Sequence, residues 1–221
     1  YVLPPEKHHL SYARRLERIK TTRRICAMTF DDGPSRNTVK ILDTLEKYNA
    51  KATFFLIGEN LTEDGVKIAK RALEEGHMLG MHTETHQYEK IYRSVDSFLA
   101  DYDKLAARFV EVFGECPAVF RFPGGSSNTV SRTDIQTFIQ MLNEEGITYY
   151  DWNVSAGDAQ SVYSSRDQIV QRVVSNVAVM QDSIVLMHDA NDKQQTVDSL
   201  PDIIQYFKNE GYTFKTFYEI F

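Results

Sequence analysis

The stretch Thr29-Phe-Asp-Asp-Gly-Pro-Ser35 places two adjacent carboxylates, Asp31 and Asp32, directly after the apolar run at residues 25–30. The run predicts a short buried strand, and Gly33-Pro34 ends it with a turn. Neighbouring strand residues point to opposite faces, so both carboxylates serve one site only where the chain bends, and Gly-Pro predicts that bend. Alone, such a stretch is typical of a surface turn. Four later stretches with matching chemistry favour a functional interpretation.

The composition is that of a soluble globular protein, with 221 residues, 42% of them hydrophobic and 25% charged. This length suffices for one large α/β domain, and no apolar run approaches the roughly 18–20 residues that a membrane span needs. The net charge of −6 argues against nucleic acid as the main partner. The two cysteines, Cys26 and Cys116, form no disulfide framework and lie near the starts of predicted core strands, which favours buried thiols.

The first 24 residues form a basic N-terminal stem, with seven basic residues against two acidic ones, ahead of a predicted catalytic domain at residues 25–221. A solvated helix is the simpler interpretation of the stem, and a patch against an anionic membrane or cell wall is the alternative. Because the chain begins at Tyr1 rather than Met, we expect a fragment or processed form whose missing N-terminus carried a signal or anchor. We therefore expect an extracellular or cell-surface protein tethered to a membrane or cell wall. The oligomeric state stays open.

From residue 25 onward, strand-like runs alternate with helix-like segments, which predicts βα units and a parallel sheet with right-handed crossovers. The seven strand-like runs are residues 25–30, 52–57, 78–82, 119–122, 148–154, 184–188 and 213–216. The main helix-like segments are residues 39–48, 63–75, 94–113, 132–145, 166–180 and 200–209. Seven parallel strands in a chain of this size predict an α/β barrel that is closed or nearly closed.

Polar stretches fall at the carboxyl ends of the predicted strands, where function gathers in parallel βα folds. They close strands one, three, four, five and six, and they are Asp31-Asp32, His82-Thr-Glu-Thr-His86, Arg121-Phe-Pro-Gly-Gly-Ser126, Asp151-Trp-Asn-Val-Ser-Ala-Gly-Asp158 and His188-Asp189. Five polar clusters on one rim predict a single site.

His82 and His86 are four residues apart, a spacing that puts two imidazoles on one face of a helical turn. One further carboxylate completes a set of two histidines and an aspartate with an open position, as catalytic zinc requires. A lone pair at this spacing is more often structural, but the carboxylate pair on a nearby strand end favours a metal site. We interpret the remaining histidines as non-catalytic: His8, His9 and His77.

The other rim residues complete a set for acyl hydrolysis. His188 has an ordinary pKa of about 6.5, which suits a general acid near neutral pH, with a hydrogen-bonded rim histidine as the alternative. Arg121 cannot lose its charge and needs an acidic partner, either Asp31 or Asp158. The turn at Pro123-Gly124-Gly125 offers backbone N–H groups to a developing oxyanion. Together with a divalent metal, these groups predict metal-assisted hydrolysis of an acyl bond.

The order Thr-Phe-Asp-Asp-Gly-Pro, His-Thr-x-x-His, Arg-x-Pro, Trp…Asp and Leu-Met-His-Asp resembles the polysaccharide deacetylases of carbohydrate esterase family four, the NodB-homology group. The flanking residues 51–58 and 76–82 are also similar to that family. The resemblance runs from about residue 25 to the C-terminus. It implies a distorted (β/α) barrel and a metal-dependent hydrolase that acts on an acetylated polysaccharide.

The resemblance also implies roles for individual residues. Asp31 would be the catalytic base, held in place by Arg121. His188 would be the general acid, oriented by Asp158. One divalent ion, zinc first with cobalt or nickel as alternatives, would be held by Asp32, His82 and His86.

On the substrate side, the backbone N–H of Gly124 would stabilise the oxyanion, and Leu186 would line the pocket for the acetyl methyl group. Trp152 is either a core residue or part of the substrate groove. The family often has Tyr at the position of Gly124 and Trp at the position of Ala159. The absence of both aromatic side chains bears on how substrate is held rather than on the chemistry.

We therefore expect an N-deacetylase that releases acetate from an N-acetylglucosamine-containing polymer. Peptidoglycan is the first choice because the basic stem suggests an anchored surface enzyme, and chitin-type oligosaccharides come second. The alternatives are an O-acetyl esterase on a xylan-like polysaccharide and a non-catalytic carbohydrate-binding relic of the fold. A relic would have lost the base or a metal ligand, whereas this chain has all of Asp31, Asp32, His82, His86 and His188.

Overall fold

The computed structural model describes residues 24–159, 163–177 and 181–220, so the predicted basic stem lies outside the described residues except for Arg24. The strands are β1 Arg24–Gly33, β2 Ala52–Leu56, β3 Met78–Met81, β4 Val119–Phe120, β5 Thr148–Tyr149, β6 Val154–Ser155, β7 Asp182–His188 and β8 Tyr212–Phe214. The helices are α1 Arg36–Lys47, α2 Glu63–Glu74, α3 Tyr88–Ile91, α4 Val95–Phe113, α5 Ile135–Glu144, α6 Arg166–Val177, α7 Gln194–Asn209 and α8 Phe217–Ile220, with a 3₁₀ turn at Gly58–Asn60. Within these ranges, no helix combines the length and hydropathy that crossing a bilayer requires.

The sheet is parallel throughout and runs in the order β5-β4-β3-β2-β1-β7-β6, with β8 paired to the start of β1. Its two edge strands, β5 and β6, are consecutive in the chain. The sheet therefore curls until residues 150–153 join its two edges. This confirms the distorted barrel of parallel strands that the sequence predicts.

The segment predicted as one strand, residues 148–154, is two short strands with different partners. β5 pairs with β4, and β6 pairs with β7. Between them, Asn153 acts as a side-chain bridge: its Nδ2 donates to the carbonyl of Asp182 at 2.9 Å, and its Oδ1 accepts from the N–H of Ile184 at 2.7 Å. An apolar run predicts extended backbone but not a change of partner. Counted as one interrupted strand, the segment gives seven strands in the described chain.

Two helix ends coincide with capping residues: Ser35 at the start of α1 and Gly114 at the end of α4. Ser35 accepts from the N–H of Asn37 at 3.0 Å, and α1 begins three residues before the predicted segment at 39–48. Gly114, with a φ of +84°, ends α4 where the sequence predicts. α7 begins six residues before its predicted start and contains Pro201 in its interior. α6 begins as predicted at Arg166 and is described to Val177.

The barrel interior is stacked in layers that lead up to the carboxyl ends of the strands. Phe217 of α8 stacks on Tyr150, with ring centroids 4.2 Å apart, and contacts Phe55 at 6.1 Å. Gly80 leaves room for Phe55, because a Cβ there would lie 2.6 Å from its ring. The guanidinium of Arg121 lies 4.2 Å from the centre of the Phe55 ring. The apolar interior thus ends at a buried cation, and the polar site begins there.

The cysteines are both free thiols, and only one is fully buried. Cys26 lies in β1 facing the helices, and Cys116 is half-buried in the turn before β4. The expected buried thiol is therefore confirmed for Cys26 only.

Candidate active site

The two adjacent carboxylates face one cavity because β1 is bulged. Asp31 pairs with Phe55 of β2, and the next paired residue is Gly33, so Asp32 is the extra residue. Asp32 has a φ of +77°, and both carboxylates line the same cavity. The sequence predicts the bend at Gly-Pro, but it lies one residue earlier. Gly33 is needed for another reason, since a Cβ there would lie 2.3 Å from the Asp189 carboxylate.

Asp32, His82 and His86 converge as a candidate metal site. Oδ1 of Asp32 lies 3.5 Å from Nε2 of His82 and 3.3 Å from Nε2 of His86, and the ligand atoms all lie within 4.8 Å of one another. In the described part of the chain, this buried Oδ1 has no hydrogen-bond partner. A buried acceptor without a partner is unfavourable, and a cation between these three atoms would satisfy it. Two imidazoles and a carboxylate fit a divalent cation with an open position.

The imidazole of His82 is fixed in the orientation that ligation needs. Its Nδ1 lies 2.8 Å from the carbonyl oxygen of Arg121, so Nδ1–H donates and Nε2 is left for the site. Burial lowers the pKa of His82 to about 3, with the positive charge of Arg121 acting in the same direction. The ring is therefore neutral, which is the form that binds metal.

The metal loop, residues 82–86, is not the helical turn that the spacing predicts. Thr83 and His86 have φ values of +70° and +54°, in the left-handed region. The N–H of His86 donates to Oγ1 of Thr83 at 3.1 Å. The two imidazoles converge because the loop doubles back, and their ring centroids are 5.0 Å apart.

Helix α4 holds the metal loop from outside. The carboxylate of Asp101 accepts from the N–H of Glu84 at 2.6 Å, from the N–H of Thr85 at 3.2 Å and from Oγ1 of Thr85 at 2.6 Å. The Glu84 carboxylate is fully buried and pairs with Lys104 at 3.0 Å and with Arg108 at 2.7 Å. These contacts could not be predicted from the sequence, because Asp101, Lys104 and Arg108 lie on α4, outside the five motifs, and meet the loop only in the folded chain.

Asp31 is the carboxylate of the site that lies outside the candidate metal-ligand set and pairs with Arg121. Arg121, itself fully buried, donates from Nη1 to Oδ1 of Asp31 at 2.9 Å and to Oγ1 of Thr29 at 2.6 Å. Its other donors face the backbone carbonyls of Tyr150 at 2.8 Å and Asp151 at 3.3 Å. Burial raises the pKa of Asp31, and the nearby Arg121 charge opposes that rise. Of the two acidic partners that the sequence leaves open for Arg121, the structure selects Asp31.

His188 faces the same cavity from the end of β7. Its Nδ1 lies 2.8 Å from Oδ1 of Asp158, whose Oδ2 accepts from the backbone N–H of His188 at 2.8 Å and from Oγ1 of Thr196 at 2.8 Å. Burial lowers the pKa of His188, but the hydrogen bond and charge of Asp158 outweigh it and raise the pKa to about 9. At neutral pH the ring is therefore an imidazolium with Nε2–H turned toward the cavity.

His77 lies at the opposite end of the barrel, before β3. Its Nδ1 accepts from the N–H of Ala52 at 3.2 Å, and burial lowers its pKa to about 4. This is a structural role, in keeping with the non-catalytic interpretation. His8 and His9 lie outside the described residues.

The cavity has a volume of about 480 Å³. Its lining residues are Asp31, Asp32, His82, His86, Tyr88, Gly124, Trp152, Ser155, Gly157, Ala159, Leu186, His188 and Lys193. Every sequence-predicted site residue is among them except Arg121 and Asp158, which lie directly behind Asp31 and His188. Four further lining residues were not predicted from the sequence: Tyr88, Ser155, Gly157 and Lys193.

Tyr88 fills the space beside Gly124. Gly124 has a φ of +76°, and a Cβ there would lie 3.1 Å from the ring and hydroxyl of Tyr88. Tyr88 of α3 therefore places an aromatic ring next to the position where the family often has Tyr. Trp152 is half-buried and lines the cavity, so it is not a core residue. Its ring packs against Gly125, where a Cβ would lie only 3.0 Å away. The position of Tyr88, two residues after His86, was the sequence signal that could have predicted its place in the site.

Comparison with known proteins gives consistent matches. Residues 18–142 match the family described as polysaccharide deacetylase. The chain is 32% identical over 201 residues to a peptidoglycan-N-acetylglucosamine deacetylase of Bacillus cereus, covering 89% of this chain and 70% of that one. It is 37% identical to a bifunctional xylanase/deacetylase of Pseudobutyrivibrio xylanivorans, covering 90% of this chain and 30% of that one. The catalytic domain of the Eubacterium rectale peptidoglycan N-acetylglucosamine deacetylase superposes with a TM-score of 0.80 at 35% identity, covering 90% and 93% of the two chains.

Proposed function

This chain belongs to the polysaccharide deacetylase family, and on that premise we propose that it hydrolyses N-acetyl groups of N-acetylglucosamine units in peptidoglycan. The observation that carries the proposal is the separation of two adjacent carboxylates into different environments of one cavity. Oδ1 of Asp32 lies 3.5 Å and 3.3 Å from the imidazoles of His82 and His86, whereas Asp31 pairs with Arg121 at 2.9 Å and lies farther, at 3.8 Å, from His82. This supports one carboxylate as a metal ligand and the other as a proton acceptor.

The family is metal-dependent, and the proposed ion is zinc, with cobalt or nickel as alternatives for the same donors. Asp32, His82 and His86 would hold it. When bound, the ion would supply Lewis acidity at the acetyl carbonyl.

The remaining steps are assigned to this chain's own groups. Asp31, held by Arg121, accepts a proton from the attacking water, and the new C–O bond forms at the acetyl carbon. The backbone N–H of Gly124 faces the developing oxyanion, and Leu186 packs beside the acetyl methyl group. His188 donates its Nε2 proton to the amine as the C–N bond breaks. The products are acetate and a glucosamine unit.

The direct test is acetate release by zinc-loaded protein from peptidoglycan, chitooligosaccharides and acetylated xylan. Release from peptidoglycan at the highest kcat/KM is the expected result. Release from xylan alone would contradict the proposal and leave the esterase as the function.

O-acetyl ester hydrolysis on a xylan-like polymer is the second candidate. The similarity to the bifunctional xylanase/deacetylase favours it. His188→Ala separates the two functions, because an amine leaves poorly unless it is protonated, whereas an activated alcohol needs little help. For an amidase, we expect this variant to lose roughly 10²–10⁴-fold activity on the N-acetyl substrate and far less on an activated acetyl ester. Equal losses on both substrates would contradict His188 as the acid.

The place of action is also a proposal. A peptidoglycan substrate lies outside the cytoplasmic membrane, so we propose extracellular or cell-surface action. Fractionation of cells that express the full gene product would test it, and a cytoplasmic enzyme would contradict it.

A further inference from the structure

A second cavity, of about 540 Å³, lies beside the catalytic one and shares Tyr88 with it. We call it the cationic cavity, and its lining residues are Gln87, Tyr88, Glu89, Lys90, Arg93 and Ser97. Most of these lie on or next to α3, which begins two residues after His86. The cationic cavity therefore adjoins the candidate metal site.

Two basic side chains, Lys90 and Arg93, give the lining of this cavity a net positive charge. Lys90 on α3 and Arg93, two residues beyond its end, are both exposed, and both line this cavity. Within residues 24–159, 163–177 and 181–220, neither forms an ion pair, whereas Lys104 and Arg108 on the neighbouring helix are both paired. Glu89 is the acidic residue of the lining, so the cavity is net positive in a chain of net charge −6. Both cations are available to an external anion.

Tyr88 is a fixed wall between the two cavities. Its ring contacts His86 edge-on, with centroids 5.4 Å apart, and Tyr92 edge-on at 5.9 Å. The half-buried Tyr88 is a lining residue of both the catalytic cavity and the cationic cavity. A sugar chain that extended from the catalytic cavity past Tyr88 would enter the cavity lined by Lys90 and Arg93.

We propose that the cationic cavity binds a carboxylate carried by the sugar next to the one that is deacetylated. The inference rests on the proposed function and names the feature that selects its substrate. Peptidoglycan carries lactyl or peptide carboxylates on alternate sugars, whereas chitooligosaccharides and the xylan backbone are uncharged. Lys90 and Arg93 thus favour an anionic strand over a neutral one of equal length.

Calorimetric binding to the zinc-loaded Asp31→Asn protein tests this without turnover. The probes are neutral chitotetraose, a peptidoglycan tetrasaccharide with free lactyl carboxylates, and the same tetrasaccharide carrying tripeptides. Adding Lys90→Gln and Arg93→Gln should weaken binding of an anionic probe relative to chitotetraose by roughly three- to tenfold. The two anionic probes show which carboxylate is bound. Added salt should reduce the same preference in the parent protein and not in the variant.

The matched control is Lys47→Gln with Lys70→Gln, which removes the same charge from the C-terminal halves of α1 and α2. It should leave the anionic preference unchanged. An unchanged preference in the Lys90/Arg93 variant, or an equal loss of preference in the control, would overturn the inference. Failure of the wild type to release acetate from any substrate would contradict the proposed function instead, and the binding comparison would still decide this inference.

Discussion

Asp31 and Asp32 are chemically identical neighbours, and the bulge in β1 gives them different partners. Oδ1 of Asp31 accepts from Arg121, while Oδ1 of Asp32 is buried between two imidazoles with no hydrogen-bond donor in the described residues. Substitution by asparagine keeps the shape of each side chain but removes its charge. The two substitutions should therefore have different consequences.

We expect Asp31→Asn to bind metal at close to wild-type affinity and to lose nearly all turnover, because the amide cannot accept the proton. Asp32→Asn should weaken metal binding itself, since a neutral amide is a poorer ligand for a divalent cation. Metal content after dialysis and acetate release measured on the same preparations would distinguish them. Equal loss of metal from both variants would contradict the division of roles.

The pKa of His188 sets a second prediction at the residue scale. Because Asp158 raises this pKa to about 9, the imidazolium is present below that pH and is lost as the pH rises through it. Asp158→Asn removes the negative charge that offsets the effect of burial on the pKa of His188, so this pKa should fall. The alkaline limb of the pH profile of kcat/KM should therefore move to lower pH by one unit or more. Asp198→Asn, an exposed site on α7, is the control and should leave the limb in place. An unmoved limb in Asp158→Asn would mean that another group titrates there.

At the scale of elements, α4 acts as the support of the metal loop. Asp101 receives three hydrogen bonds from Glu84 and Thr85, which lie between the two histidine ligands. The loop contains left-handed residues that are unfavourable without such partners. The position of both imidazoles therefore depends on a side chain that contacts neither of them.

Asp101→Asn should lower zinc affinity by about 10- to 100-fold. The substitution replaces one accepting oxygen with an NH₂ group, which cannot accept a hydrogen bond from the N–H and O–H donors of the loop. Zinc titration of the metal-free protein by calorimetry measures this independently of catalysis. Asp103→Asn, exposed on the same helix, is the matched control and should bind zinc as the wild type does. Unchanged affinity in Asp101→Asn would show that the loop holds its shape without α4.

At the scale of the whole molecule, the barrel is closed by the segment at residues 148–155 rather than by a continuous ladder. β5 forms one edge of the sheet and β6 the other, so this connection links the two edges. Asn153 supplies side-chain hydrogen bonds where the backbone changes partner. Closure also brings Trp152 to the cavity wall.

Asn153→Ala should reduce the free energy of unfolding by about 1 kcal/mol, since two hydrogen bonds to backbone groups are lost at an exposed position. Urea denaturation measures the change. Asn209→Ala, at the end of α7, is the control and should stay within about 0.5 kcal/mol of the wild type. If Asn153→Ala were as stable as the wild type, or lost no more stability than the control, the Asn153 hydrogen bonds would not contribute to closing the barrel.

Much of the architecture could be predicted because its signals are local. Apolar runs and glycine stops predicted the strands and most helices, and the five motifs predicted ten site residues, of which eight line one cavity and two lie directly behind it. Strand partners and hydrogen bonds between distant segments could not be predicted. A run of apolar residues has the same pattern whether the strand pairs with one neighbour along its length or changes to a second neighbour part-way.

The amino-acid sequence by itself determined which side chains stand at the carboxyl ends of the strands, and therefore the chemistry that the site offers. The tertiary structure alone decided which partners Asp31 and Asp32 have, how α4 supports the metal loop, and that Tyr88 lies beside Gly124. The physical reason is the range of the interactions. Periodicity and motif order act within a few residues, whereas a bulge, a buried hydrogen bond or a close ring contact exists only once distant segments have packed together.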